Sequence, residues 1–206
     1  MPDVLVPAAR WPRWLANFEA SHGAAALVVD AGRLRGSAPD GSRFVAGLPF
    51  SQAYDGPPDP AAFAGQAAEP PVWGVLLVRK GGFAVARVEA GAVVESKTGQ
   101  RHVQGRTKAG GQSQQRFARR RDNQARQAYE AAADHAARVL GAVVPVVTGG
   151  DRAAVAEVLA DRRLASVDVV GPWFAVPDPR RAVLDRVVGD AQALVVEVEN
   201  AATARG

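Results

Sequence analysis

The chain of 206 residues contains no cysteine. That excludes disulfides, thiolate nucleophiles and cysteine-ligated zinc, and it fits a reducing compartment. Isoleucine is missing and lysine nearly so, while Ala, Arg, Val and Gly abound, a composition expected of a high-GC genome. No apolar run approaches the roughly 18 residues of a membrane span. The longest, such as "VWGVLLV" and "AVVPVV", are strand-sized, and no membrane association is expected. The opening "MPDVLVPAARWPRW" lacks a charged segment followed by an apolar one, so no secretory leader is expected and the expected location is cytoplasmic. The three histidines, His22, His102 and His135, stand in no metal-ligating spacing. Phosphate-binding Walker loops, dinucleotide-binding glycine fingerprints and G-x-S-x-G elbows are also missing. Neither a metal nor a cofactor is therefore expected. Asp30 and Asp168, at strand ends, leave a metal-dependent nuclease as a minor alternative.

Acidic residues are nearly missing from one segment. Residues 97–126 hold nine cations (Lys97, Arg101, Arg106, Lys108, Arg116, Arg119, Arg120, Arg121 and Arg126) and one acid, Asp122, a net charge of +8. The rest of the chain carries −4, giving the total of +4. A mildly acidic body with one concentrated basic element fits a polyanionic partner, and RNA is the natural candidate. A purely structural surface helix interleaves Glu with Arg four residues apart. This segment does not.

Periodicity gives the coarse organisation. In "WPRWLANFEA" (11–20) the apolar residues Trp11, Trp14, Leu15 and Phe18 follow helical spacing. "AALVVD" (25–30) predicts a buried strand, and "RLRGSAPDGSRFVAG" two strands about a Pro-Asp-Gly turn. Residues 55–71, rich in Pro, Ala and Gly, read as a linker or surface excursion. "VWGVLLVRK", "GFAVARVE" and "AVVESK" predict three strands. From Ser113 to Leu140 one long helical pattern runs without Pro or Gly, with Phe117, Ala125, Ala128, Tyr129, Ala132, Ala136, Val139 and Leu140 on its apolar side. Ser113 suits its N-cap. A buried strand (142–149), a helix (151–164), short strands in "SVDVVGPWFAV" and a closing helix through the last 25 residues or so complete the pattern. Helices alternating with apolar strands predict a layered α/β domain with a mixed sheet. Strands after long helices are expected to lie parallel to a neighbour. The expected division is an N-terminal helical extension, residues 1–24, and one domain over 25–200 that includes a mobile basic loop at 97–112.

The chemistry concentrates in "RTKAGGQSQQRFARRR", residues 106–121. Gly110 and Gly111 can adopt backbone conformations closed to other residues and approach a partner without a Cβ clash. Gln112 carries an acceptor and two N–H donors and does not titrate. It can position a water, and its backbone N–H can stabilise an oxyanion. The helix N-terminus adds positive potential, and the arginines of the first turns can grip phosphates. A Gly-Gly pair alone is also simply a loop before a helix. The extended pattern is more specific.

"GGQSQQRFARRR" resembles the peptide-release loop and following helix of eukaryotic and archaeal class I translation termination factors, whose pattern is close to GGQSxxRFxRxR. Gly110, Gly111, Gln112, Ser113, Arg116, Phe117, Ala118, Arg119 and Arg121 occupy matching positions. No stop-codon-reading domain is recognisable before the loop, and no partner-binding domain after it. The lead-in "RHVQGRTKAGG" is more similar to the release-factor-like domain of the Vms/ANKZF (VLRF) family, which frees nascent chains from stalled ribosomes and has small actinobacterial members.

This resemblance implies a ribonuclease H-like mixed-sheet core and a peptidyl-tRNA hydrolase acting without metal or cofactor, as a monomer. Gln112, Gly111 and Gly110 are the implied catalytic residues. Arg106, Lys108, Arg116, Arg119, Arg120 and Arg121 are the implied RNA contacts, toward the 23S rRNA of the large ribosomal subunit and its peptidyl-tRNA. A non-catalytic ribosome- or RNA-binding module of the same fold, and a nuclease acting on the tRNA 3′ end, remain alternatives.

Overall fold

The computed structural model of the chain describes residues 4–100, 112–142 and 145–201, with backbone alone for 112–125. Two compact units emerge, Met1–Glu69 with Gly189–Gly206, and Pro70–Val188. These boundaries differ from those expected at residue 24. The N-terminal helix is no separate extension in this division, because its apolar face is part of the core of the first unit.

In the first unit, strand β1 (Val4–Val6) is followed by helix α1 (Trp11–His22), strands β2 (Ala26–Asp30), β3 (Arg33–Ser37) and β4 (Arg43–Gly47), and the short helix α2 (Pro60–Gly65). Pro12 lies in the first turn of α1, where its missing N–H costs nothing. Gly23, at φ 90°, ends the helix, and its N–H donates to the Glu19 carbonyl. Trp11, Leu15 and Phe18 turn inward as the spacing predicts. They meet Phe44 of β4, whose ring stands edge-on to Trp11 at 5.8 Å and to Phe18 at 5.1 Å. Such aromatic pairs add about 0.5–1.5 kcal/mol each beyond area burial. Residues 55–71 contain more than a connection. Asp59 caps α2 by accepting from the Ala62 N–H, and Phe63 is fully buried, 5.7 Å from Trp11.

"AALVVD" forms β2, but at a sheet edge and not in the interior. It pairs only with β3, its alternate residues are exposed, and Val28 is 54% accessible. The expected closing helix is corrected as well. Helix α5 (Arg181–Asp190) ends early, and "LVVEVE" forms a strand, Leu194–Glu199, the last of the chain's ten strands among the described residues. Alternation of β-branched and acidic residues suits a half-buried strand better than a helix. This strand, β10, runs antiparallel between β1 and β4, giving the order β1-β10-β4-β3-β2.

The second unit begins with strands β5 (Val72–Arg79), β6 (Gly82–Glu89) and β7 (Ala92–Gln100), an antiparallel meander. Helix α3 (Gln112–Leu140), strand β8 (Val146–Gly150), helix α4 (Arg152–Leu159), strand β9 (Val169–Phe174) and α5 follow. The sheet order is β7-β6-β5-β8-β9, with β8 parallel to β5 and β9 parallel to β8. The mixed-sheet α/β organisation expected from the sequence is therefore observed, and the strands after α3 and α4 lie parallel to a neighbour, whereas β2 after α1 and β10 after α5 pair antiparallel. Central β5 is buried on both faces, which explains its unbroken apolar run. On one face Leu76, Val78, Phe83 and Val85 share a core with α3 and α4. Full burial of each such side chain is worth about 1.5–3 kcal/mol.

The C-terminal half of α3 supplies Ala132, Ala133, Ala136, Val139 and Leu140 to this core. Phe117 and Ala125, expected on the same side, lie where only the backbone is described. Close approach depends on a missing side chain: a Cβ on Gly74 of β5 would collide with Leu140 Cδ2. The helix is also tied laterally. Arg163, in the turn after α4, donates to Asp134 of α3 at 2.6 Å and to Asp161 at 2.7 Å, and Arg138 of α3 pairs with Glu95 of β7.

Candidate nucleic-acid interface

The basic element lies between β7 and α3. Strand β7 ends at Gln100, which is in register with Gly82 of β6. Arg106, Lys108, Gly110 and Gly111, with the rest of 101–111, lie outside the described residues. So does most of the span 97–112 expected as a mobile loop; residues 97–100 belong to β7. Gln112 is the first residue of α3, so Ser113 is the second helical residue and does not precede the helix as a cap. Arg116, Arg119, Arg120 and Arg121 fall in the early turns of α3, where the backbone is described. Their spacing of three and four puts Arg116, Arg119 and Arg120 on one helical face.

The length and anchorage of α3 give this element its reach. The helix has 29 residues, about 43 Å. Leu140 sits at Gly74, near the start of β5, while Tyr129 lies beside Val78 and Gly82, at its far end. Eleven helical steps cover about 16 Å, and the four strand steps from Gly74 to Val78 or five to Arg79, the partner of Gly82, cover about 13–16 Å, so α3 runs back along β5. A straight helix then carries its first turns, Gln112 to Gln127, about 24 Å past the Arg79 end of the sheet. The strand that leads into the basic element ends at the same edge, since Gln100 pairs with Gly82.

Several chemically active side chains that sequence spacing did not single out meet at this edge. Arg79 ends β5 and donates to the Val176 carbonyl at 2.9 Å. Lys80 occupies the exposed turn before β6. Gly150 ends β8 at φ 104°, where a Cβ would collide with the Val78 carbonyl, and this close approach brings β8 and the start of α4 against Arg79. Asp151 caps α4, its carboxylate accepting from the Ala153 and Ala154 N–H groups. Arg152 then lies over the Trp173 ring of β9, 4.4 Å from its centroid. A cavity of about 150 Å³ opens between this edge and α3, lined by Val78, Arg79, Phe83, Gly99, Ala128 and Tyr129 among others. Burial raises the Tyr129 phenol above its ordinary value, and the charges of Asp151 and Glu157 act in the same direction. The hydroxyl is thus neutral across the physiological range.

Other candidate chemistries find little support. His135 stacks on Phe83, with centroids 5.4 Å apart, as a packing group. In the first unit His22, Asp40 and Ser42 meet, the residue types of a hydrolytic triad. Both Asp40 Oδ2 and Ser42 Oγ reach the same ring nitrogen, Nδ1, at 2.8 and 3.1 Å, and Ser42 is fully buried. The imidazole cannot relay a proton from one to the other through opposite nitrogens. The cluster is a structural knot that also receives the Ala201 N–H on Ser42 Oγ. Asp30 pairs with Arg35 at 3.0 Å in the first unit, whereas Asp168 belongs to the second. Among the described residues no group of three or more His, Asp or Glu is placed to hold a metal ion. No described helix is long and apolar enough to cross a membrane.

Comparison with known proteins follows this geometry. The fold is similar to the solved "Vms1 mitochondrial localization core" at 11% identity, over 91% of this chain and 80% of that one, with a TM-score of 0.43. It is also similar to Pelota from Archaeoglobus fulgidus at 13% identity, over 83% of this chain and 53% of that one, with a TM-score of 0.27. No curated protein matches the sequence. Residues 71–197, more than half of the chain and including the whole basic element, match the Actinobacteria/chloroflexi VLRF1 release factor family, to which this protein belongs.

Proposed function

We propose that this protein is a peptidyl-tRNA hydrolase that frees nascent chains from stalled large ribosomal subunits. One observation carries the proposal: the sequence GGQSQQRFARRR lies inside the segment that matches a release-factor family. In the reaction, water attacks the ester carbonyl carbon between the peptide and the tRNA 3′ adenosine. The bond to the ribose oxygen breaks, that oxygen takes up one proton of the water, and the peptide leaves as a carboxylic acid that gives the other proton to solvent. Gln112 orients the water through its amide and offers its backbone N–H to the developing oxyanion. Gly110 and Gly111 let the backbone approach the buried ester. A tRNA ribose hydroxyl relays the proton, because no residue of the motif is a competent base near neutral pH. Arg106, Lys108, Arg116, Arg119, Arg120 and Arg121 contact phosphates of the 23S rRNA and tRNA and set the register. The protein acts in the cytoplasm as a monomer and needs no metal or cofactor.

The test is release from large subunits carrying peptidyl-tRNA. Gln112→Leu and Gly111→Ala should each lower the rate at least about a hundredfold while leaving thermal unfolding unchanged. Full activity in both variants refutes the assignment. Subunit binding with no release by the unaltered protein would identify a non-catalytic module. A shortened tRNA 3′ end in place of an intact CCA would identify a nuclease.

A further inference from the structure

We infer that the edge of the second unit's sheet carrying Arg79, Lys80 and Arg152 is a second phosphate-binding platform, which seats the RNA backbone at the foot of α3. The inference rests on the RNA-directed function proposed above and adds a contact surface outside the basic element.

The argument lies in how these cations are held. Elsewhere in the same unit Arg87, Arg138, Arg163 and Arg181 are each held by a carboxylate, which fixes the side chain and cancels its charge. Arg79 and Arg152 are held by neutral partners. The Val176 carbonyl orients Arg79, and the Trp173 ring orients Arg152. Both guanidinium groups are thus positioned with their charge unspent. Lys80, exposed between them and β6, forms no ion pair among the described residues. Of the nearby acids, Asp151 is turned into the N-terminus of α4, whose dipole offsets it. The Asp178 carboxylate lies near Gly81, so the edge carries one acid beside its three cations. A guanidinium backed by an aromatic ring, with its N–H groups outward, suits phosphate and nucleic acid.

Geometry links this edge to the same partner. A straight α3 carries its first turns beyond it, and β7 ends beside it. An RNA gripped by Arg116, Arg119 and Arg120 therefore passes over the Arg79 edge as the helix meets the body of the protein.

The experiment is a salt titration of binding to large ribosomal subunits carrying peptidyl-tRNA. Lys80→Glu combined with Arg152→Glu should weaken binding about tenfold or more at 0.1 M salt. It should reduce the slope of log K against log[salt] by about 2, near 0.9 for each phosphate that is no longer neutralised. The neutral pair Lys80→Gln with Arg152→Gln reads the same slope should the charge reversals disturb folding. Arg10→Glu with Arg13→Glu on the first unit makes the same change in net charge and should leave the slope near its starting value. An unchanged slope in the Lys80/Arg152 variants, or an equal reduction in the Arg10/Arg13 control, overturns the platform. The hydrolase proposal fails separately, on absent release by the unaltered protein, while the slopes still decide the platform.

Discussion

Leu140 Cδ2 fills the space that a side chain on Gly74 would need. This packing seats the C-terminal turn of α3 on β5, and through it the alignment of the whole helix. Gly74→Val should destabilise the protein by about 1–3 kcal/mol through overpacking. Leu140→Ala, which opens a cavity at a fully buried position, should cost about 2–5 kcal/mol. Chemical denaturation measures both. Equal stability of either variant and the unaltered protein would show that the seat is not part of the cooperative core.

Arg119 and Arg120 lie in the stretch of α3 that a straight helix carries past the sheet, so charge reversal there should leave stability nearly unchanged and act on binding. We expect Arg119→Glu with Arg120→Glu to weaken binding to the large subunit and to flatten its salt dependence by about one unit for each phosphate released from its arginine. Filter binding or light scattering across a salt series reads this out. Unchanged binding would remove the helix from the RNA interface.

Acid should loosen the turn after α4, where Asp161 holds the Arg163 guanidinium. Hydrogen bonds from the Arg163 side chain, then from its backbone N–H, hold the Asp161 carboxyl down at about 2, against an ordinary 3.8. The folded state therefore favours the ionised form. Its contribution is fully present above pH ~4 and disappears as the pH falls toward about 2. Asp161→Asn should melt at a lower temperature at neutral pH and approach the unaltered protein as both are acidified. Parallel melting curves from pH 5 to 2 would show that this carboxylate has no part in acid stability. Asp40 and Glu199 are lowered by their own partners, Ser42 and His22 in one case and Arg43 in the other, so the comparison must be between variant and parent.

Much of the second unit was legible because its signals are local. Three apolar runs with glycine turns became β5, β6 and β7, and the uninterrupted helical pattern became α3. The misses share a cause. "AALVVD" reads as buried and "LVVEVE" as part of a helix, and the partners each finds in the sheet make the first an edge and the second an interior strand. Phe63, inside a Pro-rich stretch, is buried because Trp11 and Tyr54 pack against it from distant positions. Arg79, Arg152 and Trp173 are about 70 and 20 residues apart in sequence, and the parallel neighbours β5, β8 and β9 bring them together. The GGQ motif was readable as a string, and the structure adds that Gln112 begins a helix anchored far from its own first turn.

The placement of β10 constrains how the protein comes off the ribosome. This strand lies between β1 and β4, yet it is made after the entire second unit. During vectorial synthesis the β2-β3-β4 meander can zip up early, while β1 waits for a partner that has not yet been translated. The middle unit meets no such delay, because all five strands of its sheet are consecutive in the chain. The nascent polypeptide is thus expected to mature from the inside outward, and the sheet of the second unit can form before that of the first is complete.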